Sequence, residues 1–201
     1  MQIRNLHRTG WPSNCYLVYE GSDAVVIDPS AHVRELTAAL AEAELSLRAI
    51  LLTHGHFDHI LSLDTLRDAT GAKAYLHRGD ADFPGDAAKS CYLTLIGRDI
   101  RHRAADVLLE GGEVVQFGRL TFTVLHTPGH TGGCVCYRAG DALFTGDTLF
   151  AEGYGRTDLP GGDPAALRQS LARLTAMRDE PLTIYPGHGE LSGLADAVAM
   201  L

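Results

Sequence analysis

Four side chains of the kinds that bind metal ions lie within six consecutive residues of this sequence. The run His54-Gly55-His56-Phe57-Asp58-His59 holds three imidazoles and one carboxylate. Neutral imidazole nitrogens and carboxylate oxygens are the donors that Zn²⁺ and related transition metals take in proteins. Because a protein core does not accept so many polar groups unless they are paired or bound to a metal, the run indicates a metal site.

Three further ligand-type residues follow turns later in the chain. His130 ends the segment Thr127-Pro128-Gly129-His130, Asp147 follows Phe144-Thr145-Gly146, and His188 lies in Pro186-Gly187-His188-Gly189. Each comes just after a predicted strand, and strand ends can converge on one rim of a rigid scaffold. We therefore predict one site built from seven residues: His54, His56, Asp58, His59, His130, Asp147 and His188.

The hydrophobic spacing predicts the elements that position these residues. Strands are predicted at 15–20, 23–28, 48–53, 72–77, 114–117, 120–125, 134–138, 142–145 and 182–185. Helices are predicted at about 32–44, at 59–69 and after Asp163, with at most one more in 191–201. Residues 79–104 are predicted to be a partly helical excursion that covers a site. Two strand-rich blocks, each carrying helices, predict an α/β protein with an αββα sandwich of two mixed sheets flanked by helices.

Composition limits the classes of function. A chain of 201 residues suits a single domain spanning 1–201. The formal net charge of −8 argues against a nucleic-acid partner, because phosphate binding requires a basic face. The four cysteines form no CxxC pair, the first residues lack a signal-type apolar segment, and no 18-residue apolar run occurs. We expect a cytoplasmic protein that acts on a small molecule and binds no membrane.

The motifs resemble a known family of enzymes. The seven residues are similar to the complete ligand set of binuclear hydrolases of the metallo-β-lactamase fold, most closely the glyoxalase II-like (hydroxyacylglutathione hydrolase-like) branch. The matching stretches are 51–59, 127–132, 144–150, 155–160 and 185–189. The resemblance implies that His54, His56 and His130 hold one metal, that Asp58, His59 and His188 hold a second, and that Asp147 bridges the two. Asp58 and Asp147 are then the candidate catalytic carboxylates.

The chemistry of such a site is hydrolysis. We expect two divalent ions, Zn²⁺ first, with Fe or Mn as alternatives at the carboxylate-containing position. Two metals about 3.5–4 Å apart can share a hydroxide with a pKa near 7, which attacks a carbonyl carbon. A thiolate leaving group, with a pKa of about 8.5, needs little acid assistance. The predicted activity is thioester hydrolysis, of S-lactoylglutathione or a related anionic acyl-thiol.

Two residues outside the ligand set are also singled out. Arg156 lies in a segment, 153–158, that resembles the one in which glyoxalase II and persulfide dioxygenases place a basic residue for the carboxylate of a thiol substrate. A local salt bridge between Arg156 and Asp158 is the alternative. Asp28, in an Asp-Pro-Ser sequence where the family more usually has Asp-Pro-Gly, is expected either to orient a ligand histidine or to cap a turn.

The sequence departs from the larger glyoxalase II enzymes at its C-terminal end, and two other activities are also compatible with the motifs. The larger glyoxalase II enzymes contact glutathione through a C-terminal helical domain, and only twelve residues follow Gly189 here. We therefore expect no such domain, and glutathione specificity does not carry over. The alternatives are a hydrolase of another ester or a lactone, and a mononuclear-iron persulfide dioxygenase with the same fold.

Overall fold

Two six-stranded β-sheets form the centre of the protein. The computed structural model describes residues 1–7 and 12–201. The first sheet has the order β1-β2-β3-β4-β5-β6; its first three strands are antiparallel and β3 to β6 run parallel. Its strands are β1 Gln2–His7, β2 Cys15–Glu20, β3 Asp23–Ile27, β4 Ser46–Leu51, β5 Lys73–His77 and β6 Val107–Leu109.

The second sheet is built from the C-terminal half of the chain. Its order is β12-β11-β10-β9-β8-β7, with one parallel pair, β10 and β11, among antiparallel neighbours. Its strands are β7 Val114–Phe117, β8 Leu120–His126, β9 Val135–Ala139, β10 Ala142–Gly146, β11 Thr183–Pro186 and β12 Ser192–Gly193. Both sheets are therefore mixed, as predicted.

Helices cover the outer face of each sheet. They are α1 Val33–Glu42 and α2 Leu63–Thr70 over the first sheet, and α3 Pro164–Thr175 and α4 Leu194–Ala199 over the second. Between the sheets lies a third apolar layer, in which Tyr16 and Ile27 of the first sheet meet Phe122 and Phe144 of the second. The predicted αββα sandwich is confirmed. No helix in residues 1–7 and 12–201 is long and apolar enough to cross a bilayer.

Local sequence accounts for α3 in particular. The Asp163 side chain accepts hydrogen bonds from the backbone N–H groups of Ala165 and Ala166, and Pro164 occupies the first turn. Leu167 and Leu171 are buried on the face that packs on the second sheet. The predicted N-terminus of this helix is confirmed.

The predicted helix at 59–69 begins later than expected. Residues Phe57–His59 form one turn of 3₁₀ helix, and α2 starts only at Leu63. The delay has a physical reason, because His59 turns inward to bond Asp28 and cannot lie on a regular surface helix. The helix does end where expected, at Gly71 with φ of 71°.

Among the described residues, three strands were not predicted from the sequence, and all three lie at the edge of a sheet. β1 and β6 bound the first sheet, and β12, two residues long, bounds the second. An edge strand is covered on fewer sides, so its hydrophobic pattern is weak. Residues 79–104 hold a π-helical segment, Tyr92–Ile96, and contribute Cys91 and Leu95 to the cavity beside the predicted site. That segment is therefore the partial cover that the sequence predicts.

Candidate metal centre

Strand ends bring all seven predicted ligand residues to one edge of the sandwich. The run from His54 follows β4, while His130, Asp147 and His188 follow β8, β10 and β11. Within each of two sets of three, the candidate ligand atoms all lie within 4.8 Å of one another. We call these sets the first cluster (His54, His56 and His130) and the second cluster (Asp58, His59 and His188).

The first cluster consists of three nitrogens that face one another. His56 Nδ1 lies 3.1 Å from His54 Nε2 and 2.8 Å from His130 Nε2. Ligand atoms around one tetrahedral zinc ion lie about 3.3 Å apart, as follows from Zn–N distances of about 2.0–2.1 Å. The three imidazoles therefore have nearly the spacing that a single ion requires.

Hydrogen bonds at the far side of two rings fix their tautomers. The backbone carbonyl of Arg156 can only accept, so His130 carries its proton on Nδ1, 2.6 Å from that oxygen. Thr53 donates its hydroxyl proton to Asp28 and accepts from His54 Nδ1 at 3.2 Å. Both rings therefore turn an unprotonated Nε2 toward His56, which is an arrangement that a cation stabilises.

The second cluster is oriented by Asp28. His59 Nδ1 donates to Asp28 Oδ2 at 2.8 Å, which leaves Nε2 free to face the cluster. Asp58 Oδ2 lies 3.1 Å from His188 Nε2 and 3.9 Å from His59 Nε2. Asp28 has a φ of 52°, and its carboxylate also accepts from Thr53 N. Asp28 therefore contacts His59, a predicted ligand, as expected under the first of the two alternatives drawn from the sequence.

Asp147 lies between the two clusters. Its Oδ1 is 3.3 Å from His59 Nε2, and its Oδ2 is 3.5 Å from His130 Nε2 and 3.6 Å from His188 Nε2. The Asp147 carboxylate is therefore within reach of histidines from both clusters, so it could contribute to two metal positions.

Two buried atoms test whether metals fit this site. His59 Nε2 and Asp147 Oδ1 are buried, and neither forms a well-aligned hydrogen bond within the described residues. With the His59 proton held on Nδ1 by Asp28, an unprotonated nitrogen would face a carboxylate oxygen across 3.3 Å. A cation between them removes that conflict. Nitrogens together with carboxylates are the donor set of divalent transition metals, so the residues present fit such ions.

The electrostatics point the same way. Burial and the neighbouring His130 lower the pKa of His56 to about 3, so this ring is neutral and ready to bind. Burial also acts to lower the pKa of His59, but Asp147, Asp28 and Asp58 outweigh it and raise that pKa well above its usual value. Without metal, the carboxylates therefore favour a second proton on His59, at Nε2, where a bound ion would take its place.

Close approaches explain two glycines of the motifs. A Cβ on Gly187 would collide with Asp147 Oδ1 and the His59 ring, so only glycine lets this turn pack against the site. Gly55 is required for another close contact, because a Cβ there would collide with the Phe83 side chain. The lack of a side chain at Gly55 therefore allows the 79–104 segment to pack against the loop that carries His54 and His56.

A cavity of about 320 Å³ opens at the two clusters, and Arg156 stands at its wall. The Arg156 guanidinium is 58% exposed and donates two hydrogen bonds of 2.6 Å to the Asp158 carboxylate. The local salt bridge considered as an alternative is therefore present, at a position that also faces the cavity. The hydrogen bond that His130 donates to the Arg156 carbonyl could not be predicted from the sequence, because every residue has a backbone carbonyl.

The sequence analysis misses one buried carboxylate near the site. Asp80 Oδ2 accepts from Gly55 N at 3.0 Å and from Thr131 Oγ1 at 2.7 Å, and Oδ1 accepts from Gly133 N at 2.7 Å. Asp80 thereby ties the loop of His54 and His56 to the loop of His130. Its only sequence signal is the one used for the ligands, a polar residue shortly after a strand, here β5.

Comparison with known proteins decides the family. The model of the metallo-β-lactamase superfamily matches residues 8–188. The chain belongs to the metallo-β-lactamase superfamily. It is 34% identical over 179 residues to the probable metallo-hydrolase YqgX of Bacillus subtilis, covering 88% of this chain and 85% of YqgX. It is 30% identical to the probable polyketide biosynthesis zinc-dependent hydrolase PksB of the same species, over 89% of this chain and 74% of PksB.

Solved structures of this superfamily superpose along nearly the whole chain. The B3 metallo-β-lactamase BLEG-1 gives a TM-score of 0.87 at 34% identity, covering 97% of this chain and 95% of its own. ETHE1 from Myxococcus xanthus gives 0.80 at 32% identity, covering 98% and 81%. TTHA1623, in a di-iron-bound form, gives 0.79 at 35% identity, covering 94% of both chains. The superfamily and the fold are thus as predicted, and the relatives with assigned names are probable metallo-hydrolases.

Proposed function

We propose that this protein is a binuclear metallo-hydrolase of the glyoxalase II-like branch that cleaves thioesters. The observation that carries the proposal is the position of Asp147, whose carboxylate reaches both clusters, with Oδ1 near His59 and Oδ2 near both His130 and His188. The first and second clusters each supply three donors, and the shared carboxylate completes both sets. Two Zn²⁺ ions are the proposed occupants, with Fe or Mn as alternatives; PksB is named zinc-dependent and TTHA1623 binds two irons.

The chain's own groups hold this arrangement rigid. Asp28 and the Arg156 carbonyl keep the imidazole protons of His59 and His130 away from the cavity. Bound ions would supply a water of lowered pKa as nucleophile and would polarise the substrate carbonyl. Because Asp28, Asp80 and the strand ends fix every donor, the site needs no reorganisation when substrate arrives.

The cavity wall favours a thioester over an oxygen ester or a lactone. Apart from candidate metal ligands, the described titratable side chains that line it are Cys91 and Arg156. Burial raises the pKa of the Cys91 thiol, and an arginine does not give up its proton. Among the described lining residues, no carboxyl or imidazole outside the candidate ligands is present as a general acid for an alkoxide, whereas a thiolate leaves without such help.

A second candidate function is a mononuclear-iron persulfide dioxygenase. His54, His59 and Asp147 also lie within 4.8 Å of one another, and two histidines with one carboxylate form the facial triad typical of non-haem iron oxygenases. The complete second cluster favours the hydrolase, because a single iron leaves Asp58 and His188 without a role.

One experiment separates the two. Protein loaded with Zn²⁺, Fe²⁺ or Mn²⁺ is assayed for metal content by elemental analysis, for hydrolysis of S-lactoylglutathione and of S-acylglutathiones with unsubstituted acyl chains, and for oxygen uptake with glutathione persulfide. We expect two metals per chain and thioester turnover that exceeds turnover of the matching oxygen ester. One iron per chain with persulfide-dependent oxygen uptake would overturn the hydrolase in favour of the dioxygenase.

A further inference from the structure

One wall of the metal cavity is apolar and is presented by residues far apart in sequence. Leu95, Phe150 and Leu159 line the cavity together with the candidate metal ligands. Leu95 is 53% exposed, so its side chain is open to a molecule that enters the cavity. We call these three residues the apolar wall.

The segment that carries Leu95 is anchored to the fold. Tyr92, at its start, is buried; its ring lies 5.4 Å from that of Phe57, and its hydroxyl lies 3.0 Å from His102 Nε2. Left-handed residues, Cys91 at φ 66° and Gly97 at φ 71°, bound the π-helical turn. The backbone therefore holds Leu95 at the cavity mouth.

We propose that the apolar wall is a subsite for an unsubstituted aliphatic acyl chain, so that the preferred substrates are medium-chain acyl thioesters. This inference rests on the proposed thioester hydrolysis. The wall and the metal clusters line the same cavity, so a carbonyl held at the clusters has the apolar wall beside it.

The polar inventory of the cavity supports an apolar acyl group over a hydroxylated one. A 2-hydroxyacyl group needs a hydrogen-bond partner when it is buried. Among described lining side chains outside the candidate ligands, only Cys91 and Arg156 are polar, and Arg156 is engaged by Asp158. A methylene chain has no such requirement, and each methylene buried against leucine and phenylalanine adds to binding.

A chain-length series tests the subsite. The substrates are N-acetylcysteamine thioesters of acetic, butanoic, hexanoic and octanoic acids, which share one neutral thiol. We expect kcat/KM to rise about twofold per methylene from acetyl to hexanoyl, since the wall is partly open to solvent. Leu95→Ser should reduce the hexanoyl-to-acetyl ratio about fivefold.

Leu93→Ser is the matched control. Leu93 lies on the same π-helical turn and is 49% exposed, but it does not line the cavity. This variant should retain the wild-type ratio. If both variants lower the ratio equally, or if the wild-type profile is flat, the acyl subsite is wrong. If Leu95→Ser instead alters the oligomeric state and leaves the ratio unchanged, the wall is a subunit interface and the proposal is overturned.

A binding measurement separates failure of this inference from failure of the proposed reaction. S-alkyl N-acetylcysteamine thioethers cannot be hydrolysed, and their binding to metal-free protein can be followed by calorimetry. Affinity that rises with chain length in wild type and Leu93→Ser, but not in Leu95→Ser, supports the subsite even if no thioester is turned over. Thioester turnover with thioether binding independent of chain length would leave the hydrolase standing and remove the subsite.

Discussion

At the scale of single residues, Asp147 has the largest expected effect. It is buried, and its two oxygens approach histidines of both clusters. Burial acts to raise its pKa, but attraction to His59 and the other imidazoles outweighs burial, so the carboxylate stays charged. This charge is placed to contribute to both of the proposed metal positions.

Replacing Asp147 by alanine should therefore remove about one metal equivalent per chain and lower kcat about a hundredfold or more. Elemental analysis after gel filtration and a thioester assay measure the two effects. Asp141→Ala, at an exposed position in the turn between β9 and β10, is the control and should retain both properties. Full metal content in the Asp147 variant would show that this carboxylate does not bridge two ions.

Arg156 is a residue with two competing partners. Its hydrogen bonds to Asp158 raise the pKa of the guanidinium, and the same bonds lower the pKa of Asp158 to about 2. A substrate carboxylate must displace Asp158 to make the same bidentate pair.

We expect Arg156→Ala to raise KM about tenfold for thioesters whose thiol carries a carboxylate, and Asp158→Asn to lower it, because the arginine is then released. Neutral N-acetylcysteamine thioesters serve as the comparison and should respond to neither change. Equal effects on the KM of charged and neutral substrates would show that the Arg156 side chain has only a structural role.

At the scale of elements, two buried carboxylates hold the ligand loops in place. Asp28, after β3, bonds Thr53 and His59, and Asp80, after β5, bonds the loops that carry the first cluster. Each accepts more hydrogen bonds than an amide side chain could, because one end of an amide is a donor. The two clusters are therefore supported from the ends of β3 and β5, the strands on either side of β4.

The Asp80→Asn variant should weaken metal binding about tenfold at the first cluster, since its amide would face the backbone N–H groups of Gly55 or Gly133. Competition with a chromogenic chelator measures the affinities of the two metal equivalents separately. Asp82→Asn, two residues along and exposed on the surface, is the matched control. A uniform loss at both equivalents, or none at either, would contradict a role confined to the first cluster.

At the scale of the whole molecule, the site joins the two halves of the sandwich. The run from His54 to His59 follows a strand of the first sheet, and His130, Asp147 and His188 follow strands of the second. Metals bound only by the folded state stabilise it by mass action, by about 2.7 kcal/mol at a hundredfold excess over Kd.

Removal of metal with a chelator should accordingly lower the unfolding midpoint by several degrees. Differential scanning calorimetry of loaded and stripped protein measures the shift, and added Zn²⁺ should restore it. Identical midpoints would show that the clusters do not bind metal in the folded protein.

The stability of the metal-free protein should also fall with acid. Burial lowers the pKa of His77 below its usual value of 6.5; the ring accepts a hydrogen bond from Gly79 N–H and donates one to the Glu110 carbonyl. Since the unfolded chain binds the proton more tightly, this contribution is present above about pH 6.5 and is lost as pH falls below it. His77→Gln should flatten the decline in unfolding midpoint between pH 6.5 and 5; parallel curves would contradict this assignment.

Sequence reasoning reached the sandwich and the seven clustered residues because both depend on local patterns. A ligand after a strand end, as at His188, is visible in a few neighbouring letters. Asp80 and Leu95 were missed because their roles depend on contacts with residues distant in the chain, such as Thr131 and Phe150. The edge strand β1 was missed because its residues do not alternate clearly, and pairing with β2 stabilises it.

At position 156, the backbone carbonyl that accepts from His130 and the side chain at the cavity wall have separate roles. The main-chain oxygen that orients the histidine is supplied by any amino acid, whereas the guanidinium at the cavity wall is supplied only by arginine. Selection can therefore exchange the residue at 156 to suit a new thiol without disturbing the imidazole. For the same reason, alanine scanning does not detect the role of the carbonyl, because it removes the guanidinium and leaves the carbonyl in place.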